Sequence, residues 1–441
     1  MALTYSPKIV TDGLVLCLDA KQNSSFPSIT LPVKDGLILW LDAADDNVFN
    51  YSSGTAVSQW RDKSGLNNHV NQTNTTYQPE RSTSTNGKKT ILFSSDYLIT
   101  DSNILKAYTS YTKIAVVKQT STSPAGNIIG KSTGADTTFW YGSSNNIKLY
   151  HNSNTILTSS IATTLNTWNI LSGSFDSVLL NANIYVNGSS GGSATSPTVT
   201  QITTDSDVEI GGYNGAGNYF TGEISEILIF NRVLSTTELK QVHTYLGQKW
   251  GISNNDKIWC DLSGNNNHAT IVGSVSHSNG IFTLPGTSGS YIEQLSLNLS
   301  TTNHTIIGAS RYVTVGGRVF SGGANNWLMG HWTASTVKYY ANGWVTNTTN
   351  NEQSDTNWRI YAAIGNYTSD LWSFYVNGSI HTVANSSGGT NGPNGFSIGR
   401  YYSSNSEYSN SQVAFLLAYN RILSSTEILQ NYNAMKGRFN L

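Results

Sequence analysis

Gly13-Leu-Val-Leu-Cys-Leu-Asp-Ala20 and Gly36-Leu-Ile-Leu-Trp-Leu-Asp-Ala43 are two copies of one opening segment, and only the second soon meets its continuation. That continuation is Trp60-Arg-Asp-Lys-Ser-Gly-Leu-Asn-Asn-His69; the first copy waits for Trp259-Cys-Asp-Leu-Ser-Gly-Asn-Asn-Asn-His268. Insertion of one domain inside another is the simplest account. Residues 30–251 then form an inner unit that interrupts an outer unit made of 1–29 and 252–441. Each opening segment is a short, continuous apolar run preceded by Asp-Gly, the mark of a strand buried in a sheet. The Trp-x-Asp-x-Ser-Gly element reads as a shaped loop, because Asp and Ser accept turn N–H groups and Gly tolerates positive φ.

Further repeats keep the same order. Ile184-Tyr-Val-Asn-Gly188 matches Phe374-Tyr-Val-Asn-Gly378, both strand-to-hairpin signals. Ile227-Leu-Ile-Phe-Asn-Arg-Val-Leu-Ser235 matches Phe415-Leu-Leu-Ala-Tyr-Asn-Arg-Ile-Leu-Ser424 with one residue of slack. Each unit then predicts a short C-terminal helix with a capping box, Ser235 with Glu238 and Ser424 with Glu427. Leu239, Val242 and Leu246 lie on the apolar side of the first, with Gly247 as its stop; Ile428, Tyr432 and Met435 line the second. These helices are expected to cover an edge or open end of their sheets. The insertion boundaries, at residues 24–28 and 251–256, read as surface connections.

Composition narrows the function classes. Lys plus Arg number 25 against 26 Asp plus Glu, a net charge of −1, so there is no basic excess to neutralise a phosphate backbone or an anionic bilayer. Only 12% of residues are charged, while 24 Tyr, 11 Trp and 13 Phe supply aromatic surface among Ser, Thr, Asn and Gly. No apolar run reaches membrane-spanning length, and the Met1-Ala-Leu-Thr-Tyr-Ser-Pro7 start is unlike a secretory signal. An extracellular-facing location without a signal peptide points to release by lysis or assembly into a particle. Cys17 and Cys260, the only cysteines, fall in the outer unit and either bridge its two segments or pack as buried thiols.

These motifs resemble the concanavalin A-like, laminin-G-like superfamily, above all its bacterial and tailed-phage branch, over nearly the whole chain. The resemblance rests on the opening segment, the Trp-x-Asp loop, the Tyr-Val-Asn-Gly hairpin and Gly222-Glu-Ile-Ser-Glu-Ile-Leu-Ile-Phe-Asn-Arg232. It implies an all-β chain of two nested jelly-roll sandwiches. The start Pro7-Lys-Ile-Val-Thr-Asp-Gly-Leu14 also resembles structural proteins of marine phages, which implies a virion surface location on a tail, neck fibre or capsid. In that setting the resemblance implies adhesion to cell-surface carbohydrate, or contacts with other virion proteins, in a chain able to form a homo-oligomer. No nucleic acid and no membrane insertion are expected.

Sugar recognition needs aromatic faces beside planar polar groups. One cluster runs from Trp327 to Trp344 and includes His331, Trp332, Tyr339, Tyr340 and Asn342; another comprises Arg400, Tyr401, Tyr402, Asn405, Glu407 and Tyr408. Trp327, Trp332 and the second cluster are the expected ligand-binding residues. The inner unit offers Trp140, Tyr141, Tyr150, Tyr213 and Tyr219, although core packing accounts for most such aromatics. Asp19, Asp42, Asp62 and Asp261, with Asp45 and Asp46, are candidate calcium ligands outside any EF-hand spacing. His69 and His268 lack companions and read as structural. No cofactor is required. Glu223 and Glu226 sit three apart and are expected on opposite strand faces, so they do not make a glycosidase pair and no catalytic residue is expected.

Overall fold

The computed structural model describes residues 8–441 apart from 23–24, 27–29, 86, 122–125, 135–136, 142–144, 152–153, 197, 216, 256, 347–354, 385–388 and 403. The insertion boundary near residues 24–28 and the phage-like start at Pro7 lie partly outside these described residues. The chain is almost all β, with large antiparallel sheets and, among the described residues, two α-helices. No helix among them is long and apolar enough to cross a membrane. The chain forms two compact units, Met1–Pro27 with Lys257–Leu441, and Ser28–Asp256, called here outer and inner.

The outer unit has two sheets. In one, Asn410–Tyr419 lies between Ile281–Pro285 and His304–Thr314, followed by Arg359–Asn366 and Leu371–Val376. The opening strand Leu14–Asp19 also pairs with Asn410–Tyr419, Cys17 opposite Leu417. The other sheet runs from Ile258–Trp259 through Tyr291–Asn298, Asn394–Ile398 and Arg318–Gly322 to Trp327–Trp332 and Ser335–Ala341. Strand alternation sends Leu16 and Leu18 into a core shared with Phe320, Met329 and Ile398 of that second sheet. Cys17 points the other way, among Ile307, Leu417 and Met435. The Cys17–Cys260 bridge is not formed; both cysteines are buried thiols. Burial, reinforced by Asp19 and Asp261, pushes the Cys17 thiol up to about 12.

The inner unit's strands form one continuous ladder, in which Leu37–Asp42, Thr221–Phe230, Tyr111–Gln119 and Trp168–Asp176 are successive neighbours. Helix α1, Thr236–Trp250, starts at a Ser235–Glu238 capping box and buries Leu239, Val242 and Leu246. It does not stop at Gly247. It runs one turn further and ends at Gly251, which adopts the left-handed conformation (φ +70°). Gly247 is instead a packing glycine, because a Cβ there would lie 2.1 Å from the Asn254 amide. Helix α2, Ser425–Met435, has the matching Ser424–Glu427 box.

Both helices lie across a sheet face, not an edge or open end. Ile428 and Met435 of α2 pack with Ile307, Ile360 and Leu417, the residues whose neighbours in sequence face the other way into the main core. His243 of α1 meets the Ser172 hydroxyl at 2.6 Å. The repeated Asn-Arg explains part of the repeated Asp-Gly. Arg232 pairs with Glu238 and Asp35 and lies over Gly36, where a Cβ would meet its side chain at 3.0 Å. Arg421 does the same with Glu427, Asp12 and Gly13.

Candidate functional site

The acidic candidates are committed to the scaffold. Asp62 accepts the N–H groups of Trp40, Ser64 and Asn68 and the Ser64 hydroxyl, while Asn68 donates to the Ile38 carbonyl. Asp261 repeats this on Cys17, Ser263 and Asn267, and Asn267 donates to the Val15 carbonyl. The Trp-x-Asp-x-Ser-Gly loop is therefore a clasp on the opening strand. His69 and His268 each accept the N–H of that aspartate, at 3.1 and 3.0 Å. Asp42 and Asp19 both take a cation from the C-terminal helical region, Lys249 and Arg438 respectively, each at 2.7 Å. Asp45 pairs with Lys63, and Asp46 with Arg81. Among the described residues, no group of three or more His, Cys, Asp or Glu is arranged to hold a metal.

Glu223 and Glu226 differ from the sequence expectation. The register shifts between Ile224 and Glu226, so Glu223 sits opposite Lys118 and Glu226 opposite Val116. Lys118 and Val116 share a face, so the bulge brings both glutamates to that face. The face is covered. Glu226 is 1% exposed and accepts from Trp40, Trp250, Tyr245 and Lys249, while Glu223 pairs with Lys118 and Thr90. Burial pushes Glu226 up. Burial acts on Asp42 in the same sense, but Lys249 and Lys63 more than reverse it and hold Asp42 below its ordinary value. In the outer unit Phe415 stands opposite Asp19 as Glu226 stands opposite Asp42, and it packs near Phe439 instead of ion-pairing.

The outer unit joins the two aromatic clusters that the sequence suggests separately. Glu407 accepts from Trp332 Nε1 at 2.8 Å and from Arg318 Nε at 2.6 Å. The Arg318 guanidinium lies 3.9 Å from the Tyr401 ring centroid. Trp332 continues into Trp344 and then Tyr340, with centroid separations of 5.0 Å each. On the other side Arg400 lies 3.2 Å from the Tyr291 centroid and 5.2 Å from that of Tyr402, and it binds Glu293 and Asn405 at 2.8 and 2.6 Å. Asn405 also accepts from the Tyr408 hydroxyl at 2.5 Å. Hydrogen bonding to Ser288, with help from Gly289 and Arg400, lowers the Tyr408 hydroxyl below its usual value.

Backbone geometry holds this loop in place. Glu407 adopts φ +52°, unusual for a residue other than Gly, Asn or Asp, and its carbonyl is held by the Arg318 N–H at 2.9 Å. A Cβ on Gly317 would lie 2.3 Å from the Tyr408 carbonyl, so only glycine lets the loop settle there. Arg318 and Arg400 are each 5% exposed, whereas Tyr401, Tyr402, Glu407, Tyr408, Trp332, Tyr340 and Trp344 are half-buried and Asn405 is exposed. Each arginine is matched by one carboxylate. The result is a surface of ring faces, amides and guanidinium N–H groups in which each arginine carries its own carboxylate.

Other candidates fall elsewhere. Trp327, His331 and Tyr339 are fully buried; Trp327 packs edge-on against Tyr339 and Phe396 and is a core residue. Asn342 is exposed and donates to Thr390. Tyr141 is buried in the inner core, and the Trp140 side chain lies outside the described residues. Tyr150 and Tyr213 line a small pocket with Asn127, Thr138 and Asn218. The sequence reading missed Arg318, Glu293 and Tyr291, whose partners are set by cross-strand register and carry no local motif.

No curated protein matches the chain. Solved structures that resemble it include Trypanosoma rangeli sialidase with the inhibitor DANA (14% identity, TM-score 0.36, covering 49% of this chain and 33% of that one). The Ruminococcus gnavus IT-sialidase CBM40 bound to α2,3-sialyllactose is 19% identical at TM-score 0.27, covering 30% of this chain and 82% of that one. The binding domain of Paraclostridial Mosquitocidal Protein 1 is 13% identical at TM-score 0.36, covering 92% and 96%. The chain thus spans about a third of the sialidase's length. Residues 93–240 match the model of the concanavalin A-like lectin/glucanases superfamily (laminin G type), which places a β-sandwich domain of that superfamily in the inner unit.

Proposed function

We propose that the chain is a non-catalytic adhesion protein whose outer unit binds cell-surface carbohydrate through the Arg318–Glu407–Trp332 network and the residues around it. The observation that carries this reading is Glu407, which ties Trp332 to the 401–408 loop and so sets two aromatic surfaces side by side. Half-buried rings accept sugar C–H faces, while Asn405 and the guanidinium N–H groups address hydroxyls. Because each arginine already has its carboxylate, the site favours neutral, hydroxyl-rich glycans over anionic ones. The superfamily match of residues 93–240 supports a lectin-like reading of the inner unit too. We place both units in jelly-roll sandwiches, the inner inserted into the outer, displayed on a virion surface where many copies convert weak sites into avidity. The virion setting rests on the resemblance of the repeated motifs to the tailed-phage branch and of the opening residues to marine phage structural proteins.

A second reading, a structural or decoration protein of the particle, is favoured by Val178 and Leu179, 84% and 68% exposed at a turn. Hydrolysis is disfavoured because helix α1 covers Glu226. A glycan array probed with the purified chain tests the proposal. Binding lost in the Tyr401→Ala, Tyr402→Ala and Tyr408→Ala variants, with folding intact, is expected. Absence of any glycan signal, together with specific assembly with other particle proteins, overturns it in favour of the second reading.

A further inference from the structure

Three tyrosines of the inner unit come together from distant segments. Tyr77 ends the short turn Thr75–Tyr77, Tyr97 precedes the strand Leu98–Thr100, and Tyr219 precedes Thr221–Phe230. Their ring centroids are 5.4 Å (Tyr77–Tyr97), 6.4 Å (Tyr77–Tyr219) and 6.1 Å (Tyr97–Tyr219) apart, with interplanar angles of 35°, 22° and 15°. All three are half-buried, so the near-parallel rings form a partly open platform. The Tyr97 N–H donates to the Tyr77 carbonyl at 3.1 Å, which locks the first two segments together.

The platform sits among carboxylates that lack cations. Glu209 is fully buried; its Oε2 accepts the Gly215 N–H at 3.0 Å, and its Oε1 has no hydrogen-bond partner among the described residues. That orphan oxygen and the Tyr97 Cβ both lie against Gly212, where a Cβ would be 2.4 Å from the first and 3.0 Å from the second. Asp96, beside Tyr97, accepts the Ser94 N–H alone among the described residues; burial raises its carboxyl and Glu80 raises it further. Burial, then Tyr77 and Tyr97, raise the Tyr219 hydroxyl, and Glu209 and Asp96 add to the shift. None of Glu80, Asp96 and Glu209 has an ion-pair partner among the described residues, whereas Asp42, Asp45, Glu223, Glu226 and Glu238 all do.

Carboxylates without cations beside tyrosine faces are the setting that attracts a cation over an aromatic ring. A metal ion does not answer to it, because no suitable cluster of ligands is present among the described residues. We infer that Tyr77, Tyr97 and Tyr219, with Asp96 and Glu209, form a second binding site that takes an organic ammonium group. The cation lies against the ring faces and Asp96 supplies the counter-charge, to which Glu209 adds once it ionises above about pH 7. This site is separate in residues and chemistry from the neutral glycan surface proposed above.

Calorimetric titration of the intact chain with choline chloride, and with its uncharged carbon isostere 3,3-dimethylbutan-1-ol, tests the inference. Saturable choline binding is expected, with the isostere weaker by roughly 3- to 30-fold. Tyr219→Ala should weaken choline by a similar factor, and Asp96→Asn, which keeps the shape of the site, by about threefold or more. Tyr401→Ala should leave choline binding unchanged. Equal affinity for choline and the isostere, no saturation by about 100 mM choline, or an unaltered Asp96→Asn isotherm would each overturn it.

Discussion

Replacing Glu226 with Ala should destabilise the inner unit severely without involving any ligand. The carboxylate is buried and accepts from the Trp250 and Trp40 indoles at 2.7 and 2.8 Å, from Tyr245 at 3.2 Å and from Lys249 at 2.8 Å. Alanine leaves both indole N–H groups without that acceptor and leaves Lys249 with Asp42 and the Tyr245 hydroxyl. Removing one member of a buried charged network costs about 3–5 kcal/mol. For a unit of this size each kcal/mol moves the midpoint by about 2–4 °C, so the inner-unit transition should fall by roughly 10 °C. Differential scanning calorimetry of the intact chain reads this directly, and Glu226→Gln, which keeps one acceptor, should fall between wild type and Glu226→Ala. A loss below about 1 kcal/mol in Glu226→Ala would refute the view that this acid anchors α1.

Asp261→Ala removes four hydrogen bonds, one to the opening strand at Cys17 and three within the Trp259–His268 loop, and should cost the outer unit about 2–4 kcal/mol in denaturant unfolding. Burial pushes Glu209 up to about 7 from an ordinary 4.5, so the folded chain holds a proton that the unfolded chain releases. Stability therefore falls as pH rises from about 4.5 through 7, by up to about 3 kcal/mol. Glu209→Gln should abolish that part of the slope in unfolding curves measured across the window. Because Asp19, Asp42, Asp62 and Asp261 are committed to backbone groups and cations, calcium added after EDTA treatment should shift the melting midpoint by less than about 1 °C. A larger shift would assign these acids a metal.

Much of the scaffold could be read from local pattern. The apolar runs at Leu14–Asp19 and Leu37–Asp42 are strands, and the Asn187-Gly188 and Asn377-Gly378 pairs have the positive φ values their hairpins require. Both capping boxes form. Period-two reasoning failed at Glu223 and Glu226 because a bulge inserts one residue, which no spacing rule detects. Gly247 misled for a related reason: a glycine required for tertiary approach has the same letter as one that ends a helix. The site was half legible. Arg400 and Tyr401 through Tyr408 stood out as a cluster, but Arg318 meets Glu407, and Glu293 meets Arg400, only through sheet pairing. Trp327 and Trp332 look alike in sequence, yet strand direction buries one and leaves the other beside Glu407.

The most direct test of a single glycan surface spanning Trp332 and the 401–408 loop is calorimetric titration of the intact chain with its strongest array-selected glycan. Wild type, Trp332→Ala and Tyr401→Ala should be compared, each first shown to melt cooperatively. Losses of roughly five- to tenfold in both variants are predicted, since each removes one stacking face. Unchanged affinity in both, or a loss confined to one, would contradict a shared surface.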